Sequence, residues 1–135
     1  MIPARYIFLN MGLGMSVGKA AAQSAHAEML ALHDYLKEPP EHDLDWIREQ
    51  NILFRQWFDD GQYAKYVMKG DDSTQMYTIE RYLEERGFKT YLVIDEGRTE
   101  GTYLVPTALS VELVDKEDPR VSSIFSTFRM YKEPR

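Results

Sequence analysis

The apolar run Tyr6-Ile7-Phe8-Leu9 breaks at Gly12 and Gly14 and is followed by Met15-Ser16-Val17-Gly18-Lys19-Ala20-Ala21-Ala22-Gln23-Ser24-Ala25-His26-Ala27. This strand–turn–helix unit constrains the fold more than any other stretch. A continuous apolar run reads as a strand buried on both faces, and a helix opening directly after it packs back onto the sheet. Lys19 stands in the first turn of that helix, where partial positive charge favours acids. A cation there either reaches into solvent or meets an anion. The alanines behind it leave the helix backbone open to close approach. A second cluster, Asp95-Glu96-Gly97-Arg98-Thr99, follows another apolar strand and offers a carboxylate to face the lysine.

The remaining pattern completes an α/β domain. The first strand covers about residues 5 to 10, and Ser16 is the expected N-cap of a helix that runs to about Lys37, where Pro39-Pro40 stops it. Met29, Leu30, Leu32 and Leu36 extend the apolar face begun by Ala22 and Ala25. A second helix starts near Asp43 or Asp45, carries Trp46, Leu53, Phe54, Trp57 and Phe58 as core, and closes at Asp60-Gly61. Alternation over Gln62 to Lys69 reads as a strand, and Asp71-Asp72-Ser73 caps a third helix with Met76, Ile79, Tyr82 and Leu83, ended by Gly87. Strands follow at Phe88 to Ile94 and Pro106 to Val114, with a loop at Arg98 to Val105. Pro119 opens a closing helix through Ile124, Phe125 and Phe128. The order β-α-α-β-α-β-β-α predicts a mixed four-stranded sheet flanked by helices on both faces, a single domain over residues 1–135.

Composition narrows the function classes. Cysteine is absent, which excludes disulfides and thiolate metal sites. No apolar run approaches the roughly 18 residues of a membrane span and no leader pattern precedes the first strand, so a cytoplasmic protein without a membrane partner is expected. The net charge of −6 resides wholly between Glu28 and Asp60, where nine acids face three bases (Lys37, Arg48 and Arg55). The rest of the chain is neutral, so Lys19, Lys65, Lys69, Arg98 and Arg81 have room to form a basic face.

Familiar catalytic motifs fail on spacing. Gly14-Met15-Ser16-Val17-Gly18-Lys19 has three residues between its glycines and Ala20 after the lysine, where a phosphate loop needs four and Ser or Thr. Gly12 and Gly14 begin a dinucleotide fingerprint, but Val17 replaces its third glycine. His26-Ala27-Glu28 lacks the cysteines of a zinc deaminase, and His26 and His33 lie too far apart to chelate one ion. A hydrogen-bonded structural role is the favoured reading of His26. No serine sits in a nucleophile elbow. What remains is Lys19 and Gln23, neighbours on one helix face, with Asp95 and Thr99 at the C-terminal end of a strand, where open α/β sheets place their sites. A plain Lys19–Asp95 ion pair tying helix to sheet is the alternative.

Those residues resemble a known family, the type-2 peptidyl-tRNA hydrolases. The family's opening motif, approximately Met-Ser-x-Gly-Lys-x-Ala-Ala-Gln-x-Ala-His-Ala, is matched without a gap by Met15 to Ala27. Its central pattern resembles Trp57, Gly61, Lys65 and Val67 to Lys69. Its Asp-Ala-Gly-x-Thr motif is similar to Asp95 to Thr99, and its Thr-x-Leu to Thr107 and Leu109. Gly12 stands where the family usually carries Asp, Glu96 where it has Ala, and Glu112-Leu113 where it has Gly-Pro. The segment from about His33 to Gln56 is longer than usual.

The resemblance implies hydrolysis of the ester joining a peptide to tRNA, without metal or cofactor. It implies Lys19 and Asp95 as central catalytic groups with Gln23 and Thr99 assisting, and His26, Lys65, Lys69, Gly97, Arg98 and Thr107 as substrate-binding residues. It also implies a homodimer. Two other classes remain open on sequence: a catalytically weak relative that binds RNA or a protein partner through the same face, and a small-molecule hydrolase or transferase on the same scaffold.

Overall fold

The computed structural model describes residues 1–37, 41–60, 63–97 and 103–132, and residues 96, 97 and 103 through their backbone alone. Strand β1, Pro3–Asn10, is buried from Ala4 to Asn10 and lies inside the sheet. Beyond it a short 3-10 turn, Met11–Leu13, leads into helix α1, Val17–Tyr35, and then helix α2, Leu44–Asp59. Strand β2, Lys65–Gly70, helix α3, Ser73–Glu85, and strands β3, Thr90–Gly97, and β4, Tyr103–Val111, follow. Strand β5, Val114–Asp115, and helix α4, Pro119–Phe125, complete the described elements.

The strand order is β2-β1-β4-β3, with β2 parallel to β1 and β4 antiparallel to both β1 and β3. β1, β2 and β3 therefore point the same way, and their C-terminal ends share one edge of the sheet. The expected strand from Pro106 to Val114 differs in detail. It begins earlier, at Tyr103, and Glu112-Leu113 divides it, so that β5 pairs with the start of β1 and makes a fifth strand.

Alternation in β1 assigns the helices to faces. Ala4, Tyr6 and Phe8 pack with Met76, Ile79 and Leu83 of α3 and with Val121, Ile124 and Phe125 of α4. Phe128 lies just past α4 and meets Phe8 edge-on at 4.9 Å. Ile7 and Leu9 pack instead with Ala20 and Ala27 of α1. The outer edge of β2 is covered by the segment after α4, where Tyr131 N donates to Val67 O (2.8 Å) and Lys69 N to Arg129 O (2.9 Å). Gly70, the last residue of β2, lies against Met76, whose Sδ a Cβ there would crowd.

The expected caps are present: Ser16 Oγ accepts from Lys19 N, Asp43 from Trp46 N and Asp72 from Gln75 N. The expected apolar face of α1 is not. The buried stripe is Ala20, Gln23, Ala27 and Ala31, while Met29, Leu30 and Leu36 are exposed. Small residues let α1 settle close onto the sheet, and this close approach turns the larger apolar side chains outward.

α2 docks at the opposite edge from the C-terminal strand ends. Its Leu53, Phe54 and Trp57 pack with Leu113, and its Gln50 Nε2 donates to Leu113 O at 3.0 Å. There Arg5, 1% exposed, donates its Nη1 to Val111 O (2.8 Å) and pairs through Nη2 with Glu28 (3.0 Å), its guanidinium over the Phe54 and Trp57 rings. The strand read as a continuous apolar run thus contains a buried cation, neutralised by Glu28 of α1.

Candidate active site

At the C-terminal edge, β1 ends in Asn10, which is fully buried. Asn10 Oδ1 accepts from Gly12 N (2.9 Å), while its Nδ2 donates to Pro106 O (2.9 Å) and Ser73 Oγ (3.1 Å). One amide thereby fastens the turn, the bulged part of β4 and the first residue of α3. The sequence reading overlooked Asn10, although an Asn immediately before a glycine-bearing turn is a local capping signal. Gly12 packs tightly in this corner: a Cβ there would lie 3.1 Å from Asp71 O and from Asp72 Cα.

α1 starts beside this edge and places Gln23 against the sheet, 5% exposed. Gln23 Oε1 accepts from Thr107 Oγ1 (2.6 Å), and Gln23 Nε2 donates to Asp95 Oδ2 (3.2 Å). The amide orientation follows from its partners, because a carboxylate oxygen accepts and a hydroxyl can donate. Thr107, 1% exposed, reaches α1 through a bulge. Val93 pairs with Ala108 and Ile94 with Pro106, so Thr107 is the extra residue on β4. Without it, alternation would turn Thr107 to the side of Leu109, which packs with Phe8 toward α3 and α4.

The chain Thr107–Gln23–Asp95 holds the Asp95 side chain half-buried at the end of β3. Lys19 is exposed one helical turn before Gln23, and among the described residues it forms no ion pair. The Lys19–Asp95 ion pair considered from sequence is absent; a neutral amide meets the carboxylate instead. Gly97 ends β3 opposite Tyr103. Arg98 and Thr99 lie outside the described residues, as does the side chain of Glu96.

His26 is exposed and makes no hydrogen bond among the described residues, which corrects its reading as a bonded structural histidine. It lines a cleft of about 410 Å³ between α1 and β3 with Met29, Leu30, Leu92, Val93 and Ile94.

The expected basic face is dispersed. Lys65 pairs in register with Arg5, at the far end of the sheet, and its Nζ lies 3.6 Å from Glu28 and over the Trp57 ring. It is roughly 20 Å from Asp95 along the strands, at about 3.3 Å per residue. Arg81 lies on α3, on the other face of the sheet. Lys69 does reach the site edge, paired in register with Leu9, its Nζ 3.6 Å from Asp71 Oδ1. Arg129, exposed and bonded through its carbonyl to Lys69 N, joins it there; the sequence reading did not single it out.

The acidic segment sits at the opposite pole. Asp34 accepts from the Tyr91 hydroxyl, and His42 Nε2 lies 3.1 Å from Asp34 Oδ1. Burial, followed by the hydrogen bond to Asp34, holds the Tyr91 hydroxyl above the usual tyrosine range. Glu112 accepts from Lys89 N (2.8 Å) and Trp46 Nε1 (3.3 Å). Burial raises its carboxyl above the ordinary range despite both donors.

The C-terminal edge of this open α/β sheet thus gathers a half-buried carboxylate, the buried amide that holds it and the N-terminal turn of α1 with its lysine. The chain belongs to the family described as Peptidyl-tRNA hydrolase PTH2, whose sequence model matches residues 4–131. It is 35% identical over 113 residues to the peptidyl-tRNA hydrolase of Thermococcus onnurineus, covering 80% of this chain and 86% of that protein. The peptidyl-tRNA hydrolase of Pyrobaculum aerophilum is 35% identical over 115 residues, 82% of this chain and 88% of the relative. The probable peptidyl-tRNA hydrolase 2 of Dictyostelium discoideum is 27% identical over 125 residues, 93% of this chain and 53% of its own length. No helix among the described residues is long and apolar enough to cross a membrane.

Proposed function

We propose that this protein hydrolyses the ester between the peptide and the tRNA of peptidyl-tRNA, with Asp95 as the group that orients and deprotonates the attacking water. The observation that carries the reading is the Thr107–Gln23–Asp95 chain, which aims a carboxylate out of the sheet edge from a buried, neutral support. A fixed acceptor of this kind serves a general base because it needs no reorganisation as the proton arrives. Lys19, one turn away on α1, stabilises the negative charge that develops on the substrate. Thr99 assists at the water and Gly97 and Arg98 contact the substrate, as family membership suggests. No step requires a metal or cofactor.

Lys69, Arg129 and Arg98 meet phosphates, which positions the tRNA by shape and charge and not by base identity. Lys65 is left out of this set because its register with Arg5 places it at the far end of the sheet from Asp95. The acidic pole lies away from the tRNA. The cytoplasm as the place of action, and a homodimer, complete the reading; sedimentation of the purified protein tests the latter.

The experiment is release of free tRNA from a peptidyl-tRNA by the purified protein. Lys19→Ala and Asp95→Asn are each expected to lower turnover on the order of 10²-fold or more, and the double variant to be little worse than the worse single one. Rates like the parent's in either single variant, with circular dichroism unchanged, reject the assignment.

A further inference from the structure

We propose that the cleft between α1 and β3 seats the apolar side chain of the peptide residue that forms the ester, and so sets a preference among peptidyl-tRNAs; this rests on the hydrolase reading above.

Three observations carry it. First, Met29 is 65%, Leu30 41% and Ile94 42% exposed, a group of large apolar side chains gathered around His26. The cleft they line, about 410 Å³, falls within the roughly 300–1,000 Å³ typical of small-ligand sites. Second, the cleft is continuous with the site. Val93, which lines it, stands two residues before Asp95 on the same face of β3, and His26 follows Gln23 by three residues on α1, a rise of about 4.5 Å. Beyond its lower end, Asp34, which accepts from the Tyr91 hydroxyl, lies one helical turn past Leu30 on α1.

Third, charge assigns its direction. Lys19 and the α1 N-terminus stand at the upper end, while the lower end meets Asp34 and the acidic segment that holds the entire net charge. A phosphate chain laid toward Asp34 is repelled, whereas an uncharged apolar side chain is not. With the ester at Asp95, the nucleotide therefore extends toward Lys19 and Lys69, and the peptide residue toward His26, Met29 and Ile94.

The test compares N-acetyl-leucyl-, N-acetyl-glycyl- and N-acetyl-aspartyl-tRNA at subsaturating concentration. The leucyl ester is expected to have a kcat/KM about 10-fold above the glycyl ester, the lower end of what apolar pockets discriminate, with the aspartyl ester slowest. Ile94→Asp, at an exposed position, should bring the leucyl-to-glycyl ratio close to one, and Ile94→Leu should keep it. No preference in the parent protein, or an unchanged ratio in Ile94→Asp, overturns the proposal.

A binding arm separates it from the catalytic reading. Amide resonances of His26, Met29, Leu92 and Ile94 should shift with N-acetyl-leucinamide and not with adenosine monophosphate. Shifts there with the nucleotide, or none with N-acetyl-leucinamide, overturn the proposal. Loss of all ester hydrolysis in the parent protein overturns the hydrolase reading itself, and the amide shifts still decide what the cleft binds.

Discussion

Gln23 Nε2 donates to Asp95 Oδ2 at 3.2 Å, so the helix that carries Lys19 in its first turn reaches the strand that carries Asp95 through an uncharged amide. The same amide accepts from the buried Thr107 hydroxyl at 2.6 Å, which fixes its orientation before any substrate arrives. Asp95 is thereby positioned from the helix side by an uncharged, buried support.

Replacing Gln23 separates positioning from binding. Gln23→Leu removes a hydrogen bond to a carboxylate, a contribution of about 1.5–3 kcal/mol, and is expected to lower kcat roughly 10- to 100-fold with little change in KM. Gln23→Glu places a second carboxylate beside Asp95. Like charges raise the pKa of one partner, so the acid limb of the pH–rate profile should move to higher pH. An unmoved limb in Gln23→Glu would remove Gln23 from the mechanism.

Lys65 and Lys69 lie on the same strand but should behave differently toward tRNA. Lys69→Ala should flatten the slope of log affinity against log salt by about 0.7–0.9, the share of one phosphate contact. Lys65→Ala should leave the slope unchanged. It should cost under about 1 kcal/mol of stability, because its half-exposed pair with Glu28 is solvent-screened. Filter binding over a salt series and urea unfolding check both outcomes.

Gly12 packs tightly against the backbone that leads into α3. Gly12→Ala forces a Cβ to within 3.1 Å of Asp71 O and Asp72 Cα. Overpacking of this kind costs about 1–3 kcal/mol, expected as a lower urea midpoint with an unchanged m-value. Gly12→Asp should lose more, since its carboxylate joins Asp71 and Asp72.

Glu112 gives stability a pH dependence of known sign. Burial raises its folded-state pKa above the unfolded value, so its favourable contribution is complete below the unfolded pKa and is lost as pH rises through the folded one. Glu112→Gln, which keeps an acceptor for Lys89 N, should therefore gain stability relative to the parent protein as pH increases from about 4 to 7, starting near the unperturbed Glu pKa of about 4.3. Parallel stability curves for the two proteins would contradict this. Trp46 Nε1 also donates to Glu112, and Leu113 packs under α2, so the Glu112-Leu113 pair and the longer acidic segment act as one docking unit.

The features legible in the sequence are those encoded within a few residues. Ser16, Asp43 and Asp72 cap helices through their own side chains, Pro119 opens α4, and Met15 to Ala27 carries the helix that brings Lys19 and Gln23 to the edge. Family membership and the α/β architecture follow from such local signals and their order, whereas the sequence faced Asp95 with Lys19 and the structure meets it with Gln23. The exposure of Met29 and Leu30 was not legible, because both fit an apolar helix face. Only the close seating of Ala20, Ala27 and Ala31 on the sheet decides which stripe is buried.

Tertiary structure alone decided which end of the sheet each charge occupies. Lys65 and Lys69 share a strand and a face, yet register with β1 puts one beside Arg5 and Glu28 and the other beside the site edge. Thr107 makes the same point. By alternation it belongs on the side of Leu109, and a single extra residue opposite the Val93–Ile94 step turns it to Gln23. Caps and helical stripes are short-range and can be read along the chain, whereas register and bulges are set between strands far apart in sequence, where a shift of one residue moves a side chain to the other face.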